Sequence, residues 1–197
     1  SLDGVSKTLQ HKFGKEVLVV GLQNGIENQT ILPRYFDHVI YGVVCYNAWI
    51  DSIGKAGYQK KGPIVLGHKG KVSQQQIQHV KDAFSQGVET FISDHVDDAA
   101  HSKIVINLVN SLTTLVALHD KDLSKDKKFQ KLLSRMTYEG VQTMKGAGYK
   151  ECKLGGMPSW SLITAAAKLP TFVTAIPYRK NLKKMVISSM AQDVIAN

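Results

Sequence analysis

The sequence predicts an α/β half that runs to about Ser93, followed by an all-helical half from Asp94 onward. Three observations carry this reading. Short apolar runs of strand character alternate with helix-spaced segments as far as Ile92. No strand pattern follows that point, although the composition does not change there. The chain, 197 residues with 43% hydrophobic and 21% charged residues, has the makeup of a protein that buries a core as one large or two small domains.

Taken in order, Val17-Leu18-Val19-Val20-Gly21-Leu22 is a continuous apolar run that stops at Asn24-Gly25. That is the pattern of a strand buried on both faces and closed by a tight turn. A short helix is expected from Ile26 towards Phe36, then a second strand over His38 to Tyr46. Gly62 to Gly67 reads as a third strand between turn residues. Gln74 to Ser85 has helical spacing through Ile77, Val80 and Phe84, and Val88 to Ile92 is the last strand-like run. Beyond it, Asp94 is placed to cap a long helix with Asp97 in its first turn, where carboxylates meet unpaired amides and the positive dipole end. A second helix is expected from Asp126 to Lys145, stopping at Gly146-Ala147-Gly148. Another begins near Met157-Pro158-Ser159-Trp160, and a last one at Pro177, carrying Met185, Ile187, Met190 and Val194. The predicted domains are residues 1–93 and 94–197.

Several function classes recede at this stage. No apolar stretch approaches the roughly 18 residues of a membrane span. Ser1-Leu2-Asp3-Gly4 has neither the basic start nor the apolar core of a secretory signal, so a cytoplasmic address is the default expectation. Cys45 and Cys152 lie far apart without ligand spacing, which points to neither a disulfide framework nor a zinc site. The formal charge of +9 admits anionic ligands, nucleic acid or solubility as its reason. From Asp120 to Lys131 lysines alternate with Asp122 and Asp126, the pattern of a solvated helix entry, and Arg179, Lys180, Lys183 and Lys184 fit one exposed helix face. Asp94, Asp97 and His101 share a helical face, but acids in a first turn are commonplace, and no metal site is predicted.

One segment is of another kind. On a helix at about 100° per residue, Lys103, Asn107, Asn110 and Thr114 fall in one narrow sector, while most of the rest from Ile104 to Val116 is apolar. A helix apolar over most of its circumference is buried, so its polar stripe should line a cleft or an internal network. Buried polar groups need partners, and a buried lysine loses basicity until it can transfer protons near neutral pH. Lysine plus amides suits an anionic or carbonyl substrate; a structural network remains the alternative.

These residues resemble the ketopantoate reductases (2-dehydropantoate 2-reductases). Leu22-Gln23-Asn24-Gly25 is similar to that family's strand-end turn beside the nicotinamide. Lys103-x-x-x-Asn107 with Asn110 resembles the helix bearing its catalytic lysine and substrate-binding asparagines. Ser188-Ser189-Met190-Ala191-Gln192-Asp193 resembles its S-M-x-Q-D segment. Gly42-Val43-Val44 and Gly67-His68-Lys69-Gly70 fall where the family has two further strand motifs. The resemblance implies the C-terminal part of a Rossmann-type nucleotide-binding domain, joined to a helical domain like the C-terminal domain of 6-phosphogluconate dehydrogenase. It implies an oxidoreductase of pantothenate biosynthesis, reducing a 2-oxo acid with NADPH, with a possible homodimer and no part for membrane or nucleic acid. Lys103 would be the catalytic general acid, Asn107, Asn110 and Ser189 would bind substrate, and Asn24 would lie at the cofactor.

The sequence departs from the family in carrying no Gly-x-Gly-x-x-Gly loop, and in having His101 where a tryptophan is common. The resemblance therefore implies a chain that begins inside the cofactor domain and ends soon after Gln192-Asp193. Full cofactor binding by such a chain is not expected. A non-catalytic binding or dimerisation fragment is the competing reading.

Overall fold

The computed structural model describes residues 1–58, 62–117, 123–155 and 157–184. By packing, the chain divides into two units, Ser1–Lys103 with Cys152–Gly156, and Ile104–Glu151 with Met157–Asn197.

In the first unit, helix α1 (Leu2–Phe13) precedes strand β1 (Leu18–Gly21). Ser1 caps α1 by accepting from the Gly4 amide. A single turn, α2 (Asn28–Ile31), and a 3-10 turn (Leu32–Arg34) lead to β2 (His38–Val44). After β3 (Ala48–Ser52) and β4 (Lys55–Tyr58) come β5 (Ile64–His68), helix α3 (Gln74–Ser85) and β6 (Thr90–Ile92). The four-stranded sheet runs in the order β1-β2-β5-β6. β1 is parallel to β2 and β5 to β6, but β2 and β5 are antiparallel, pairing Ile40 with His68 and Val44 with Ile64.

The core forms on this sheet because β2 from Val39 and β5 as far as Gly67 hold no charged residue and are buried on both faces, only the end residues His38, Val44 and His68 being partly exposed. Ile40, Leu66 and Ile77 are fully buried together with Ile64 and Val72. Each such side chain contributes about 1.5–3 kcal/mol relative to exposure. α3 starts where its sequence says it should: Ser73 and Gln76 form a reciprocal capping box, satisfying two helix-entry amides.

Two elements were not expected. α1 was one, and the β3–β4 hairpin the other. The hairpin turns at Gly54, whose φ of 77° suits glycine, and Trp49 lies against Gly57, where a Cβ would stand 2.6 Å from the indole. Ile50 and Ile53 remain exposed, so the hairpin lacks the one-sided burial that makes a strand readable.

Helix α4 (Val96–Ala117) follows with Asp97 in its first turn as expected and Asp98 beside it; it begins at Val96, so His95 and not Asp94 directly precedes it. In the second unit, α5 (Lys127–Gly146) is capped by Asp126, which accepts from two amides; α6 (Trp160–Lys168) is capped by Ser159. Val105, Val141, Trp160 and Ile163 form one core and Leu123, Phe129 and Leu133 another. Gly140 lets α4 approach α5, since a Cβ there would stand 2.6 Å from Leu108.

The expected last helix start is corrected. α7 runs Thr171–Lys184 and holds Pro177 in its interior. Pro170, just before Thr171, marks the true start, and tertiary bonds hold the helix across the proline that lacks an amide. Gln130 donates to the Thr171 carbonyl and to Thr174 Oγ1, and Tyr178 donates to the Leu123 carbonyl. The Ser188 to Asp193 motif, Ser189 included, and Met185, Ile187, Met190 and Val194 lie outside the described residues. No helix among the described residues is long and apolar enough to cross a membrane.

Candidate functional site

β1 and β2 are parallel and in register from Leu18–His38 to Gly21–Tyr41, so β1 stops beside Tyr41 while β2 runs on in the same direction to Val44. Where β1 ends, Leu22 folds over β2 and occupies the space a side chain at Gly42 would need. Gly21 is closely covered too, since a Cβ there would stand 2.7 Å from Leu32 Cδ1 and 3.2 Å from Gln23 Oε1. The chain then turns at Asn24-Gly25, Gly25 taking φ 90°. Asn24 is exposed on this turn.

Where β2 ends, the Val44 carbonyl accepts a hydrogen bond from Lys103 Nζ, reaching across from α4, 59 residues away in sequence. The strand end is fixed on its other side: the Cys45 amide donates to the Pro63 carbonyl at 2.9 Å, and a Cβ at Gly62 would stand 2.5 Å from the Cys45 carbonyl oxygen. Burial pushes the basicity of Lys103 below that of an ordinary lysine, and the Cys45 thiol beside it opposes that shift. Burial in turn raises the Cys45 thiol to about 11 despite the nearby ammonium, with a smaller upward push from Cys152. Among the described residues the lysine is thus held by a neutral carbonyl, with a thiol rather than a carboxylate as its titrating neighbour. Desolvation of a charge without an ionic partner is what makes a lysine ready to give up its proton.

A second lysine of the same unit contrasts with it. Lys69, after β5, contacts Asp97 Oδ2 at 2.6 Å and donates to Gln29 Oε1 at 2.9 Å. This ties α2, β5 and the first turn of α4 together. Burial raises the Tyr41 hydroxyl pKa, with Asp97 adding to it. His101 Nδ1 lies 2.8 Å from the Asp97 carbonyl oxygen.

Asn107 and Asn110, further along α4, belong to the second unit. The structure brings these two together, with Asn110 Nδ2 donating to Asn107 Oδ1 at 3.4 Å. Thr114 is buried. Of the other predicted site residues, Lys103 joins the β2 end, Asn24 stands on the exposed β1 turn, and Ser189 is outside the described residues. Sequence reasoning missed the Val44 carbonyl, Cys45 and Cys152. A carbonyl has no residue code, and the cysteines follow no spacing rule.

Residues 1–71 match the family model described as ketopantoate reductase PanE/ApbA. A 2-dehydropantoate 2-reductase of Archaeoglobus fulgidus is 24% identical over 135 residues, 68% of this chain and 46% of that protein. One of Pyrococcus abyssi is 23% identical over 126 residues, 63% of this chain and 42% of that protein. The chain spans less than half the length of these curated relatives. Among solved structures, a complex of D-mandelate dehydrogenase with NADH shares the fold at a TM-score of 0.71 and 18% identity, covering 100% of this chain and 62% of that one. A PanE/ApbA family ketopantoate reductase from Ralstonia eutropha JMP134 gives 0.71 and 19%, covering 98% and 58%. A dimeric ketopantoate reductase from Staphylococcus aureus gives 0.68 and 15%, covering 99% and 60%. The shared fold is that of part of a Rossmann-type domain followed by helices.

Proposed function

We propose, from the premise that this chain belongs to the ketopantoate reductase family, that it carries the substrate-reducing chemistry of an NADPH-dependent 2-dehydropantoate 2-reductase. Its reaction turns a 2-oxo acid into a 2-hydroxy acid. The observation that carries this reading is Lys103, desolvated and seated on the Val44 carbonyl, with no carboxylate bonded to it among the described residues.

Reduction of a ketone needs a proton at the oxygen as hydride reaches the carbon. Lys103 supplies it: as negative charge grows on the oxygen, the ammonium both stabilises that charge and donates. Asn107 and Asn110, neighbours on α4, offer amide donors to the substrate's carboxylate or hydroxyl, and Ser189 contributes a further hydrogen bond. The exposed turn at the carboxyl end of β1 is where open α/β sheets bind their ligands. It fits the nicotinamide end of the cofactor, with Asn24 as the orienting side chain; the nicotinamide, when bound, supplies the hydride. No residue of this chain is assigned to the pyrophosphate, because the sequence holds no Gly-x-Gly-x-x-Gly loop. NADH in one structural neighbour and the dimeric state of another support a nicotinamide cofactor and a homodimer. The working division is a nucleotide-binding half over residues 1–93 and a helical substrate half over 94–197.

Calorimetric titration of the chain with 2-dehydropantoate, with and without NADPH, tests the reading, with Lys103→Ala as the paired variant and circular dichroism confirming that both fold. The expected result is 2-oxo acid binding weakened about tenfold or more in the variant, the loss of a charge-assisted hydrogen bond. Equal binding by both proteins would remove Lys103 from the site. A folded chain that binds neither compound would favour the non-catalytic fragment.

A further inference from the structure

Beside the Lys103 seat stands the Cys45 thiol, and close enough to act on that thiol is a second, Cys152; the reductase chemistry uses neither. Cys45 follows Val44, is 4% exposed, and donates through Sγ to the Val43 carbonyl at 3.5 Å. Cys152 is partly exposed and lies on a segment that packs with the first unit. Two contacts fasten that segment beside Cys45. The Cys152 amide donates to Oγ of Ser102, the neighbour of Lys103, at 2.9 Å, and Gly155 is pressed against Pro63, whose carbonyl accepts the Cys45 amide. Buried Leu154 anchors the segment between them. Ser102 itself is 1% exposed, so neither end of the arrangement is loose.

We propose that Cys45 and Cys152 form a redox-responsive dithiol that closes to a disulfide over the Lys103 seat. This goes beyond the reductase reading, since neither substrate nor cofactor takes part. The oxidant is a small organic disulfide of the glutathione class. The more exposed Cys152, as thiolate, attacks one sulfur of the oxidant; an S–S bond forms to Cys152 and the oxidant's own S–S bond breaks, releasing one small thiolate. Cys45, as thiolate, then attacks the Cys152 sulfur, and the second small thiolate leaves. Both protein thiols lose their protons to solvent or to the departing thiolates, two cysteines are oxidised, and one disulfide is reduced to two thiols.

The surroundings set the rates. Burial raises both thiols above the ordinary cysteine value, so closure is slow near neutral pH and faster in mild alkali. The Lys103 ammonium favours the Cys45 thiolate, which makes this lysine an accelerator of the second step. Once formed, a disulfide between weakly acidic thiols has poor leaving groups and resists reduction.

The test is incubation of the chain with oxidised glutathione at graded thiol ratios, acid quench, alkylation of remaining thiols, and peptide mass mapping. The expected product is monomeric, lighter by two hydrogens, blocked at both cysteines, and yields a peptide joining Cys45 to Cys152. In Cys45→Ser the reaction should halt with glutathione on Cys152, and in Lys103→Met closure should slow about tenfold, the effect of losing one adjacent cation. Separate glutathione adducts on both cysteines, cross-linked dimers, or two thiols still alkylated after exhaustive oxidation would each overturn the proposal. The joined peptide is read on the unaltered chain, so a variant that fails to fold does not decide the question.

Discussion

Substitution of Gly67 by alanine should loosen the whole Lys103 seat from a distance. Gly67 is buried in β5, and a Cβ there would stand 2.5 Å from Val96 Cβ, 2.7 Å from the Ser93 carbonyl oxygen and 3.1 Å from Val96 Cγ1. Ordinary carbon–carbon contact is about 3.5–4.0 Å, so the first turn of α4 must retreat by roughly 1 Å. Two of the three obstructing atoms sit on or next to backbone, and no flexible side-chain end can swing aside. Overpacking of this kind costs about 1–3 kcal/mol. Lys103 is two turns further along the same helix, about 10 Å at 1.5 Å per residue, and a rigid helix transmits the displacement to it. Urea unfolding measures the cost. The seat is read separately, from the pH midpoint at which Lys103 becomes reactive to acetic anhydride, followed by peptide mass. The parent should show a midpoint below the ordinary 10.5, and Gly67→Ala should move it back towards that value. Gly87→Ala is the control, because a Cβ there meets nothing within 4 Å. Stability within about 0.5 kcal/mol of the parent, with the Lys103 midpoint unmoved, would refute the packing argument.

Two predictions concern pH. The folded state lowers the Lys103 pKa, so below the folded value burial of the ammonium costs stability, and that cost disappears as pH rises towards 10.5. Lys103→Met should therefore gain on the parent most at neutral pH, with the gap closing in alkali; a gap independent of pH in urea melts would contradict this. Cys45 has the opposite sign: its folded pKa of about 11 against 9.0 means stability that is complete below pH 9 and lost as pH rises through 11. The loss is about 2–3 kcal/mol at about 1.4 kcal/mol per unit, and Cys45→Val should flatten that limb. At the other end of the chain, Asp126→Ala removes an acceptor for the Lys128 and Phe129 amides and should cost about 1 kcal/mol by the same melts.

What was legible in the sequence was local. The helix starts expected at Gln74, at Asp126 and near Met157-Pro158-Ser159-Trp160 are local signals, and the structure caps those three helices with Ser73, Asp126 and Ser159. The apolar runs of β2 and β5 are readable because burial on both faces leaves no alternation to misplace. Pro177 misled for a physical reason: its local preference for a helix start gives way to contacts that no window of sequence contains, Gln130 bonding Thr171 and Thr174 of α7 and Tyr178 of α7 reaching the Leu123 carbonyl. α1 was missed although Val5, Leu9 and Phe13 recur at fours, because that stripe is exposed and so is not the core pattern a reader searches for.

The site divides the same way. The stripe through Lys103, Asn107 and Asn110 follows from helical spacing alone, and the structure places all three on α4. What spacing could not supply is the character of each lysine's partner. Lys69 faces a carboxylate at 2.6 Å and joins three elements, which is how a structural lysine offsets its desolvation. Lys103 is more deeply enclosed, yet its bonded partner is the Val44 carbonyl and its titrating neighbour a thiol that burial keeps protonated to about pH 11. A lysine serving only the fold gains nothing from that arrangement, because methionine would fill the same space without the cost of burying a charge. A lysine that must hand a proton to a developing oxyanion gains a great deal: the neutral seat holds Nζ in place without neutralising it. In the reduction proposed above, the burial that destabilises the resting ammonium would be relieved as negative charge develops beside it.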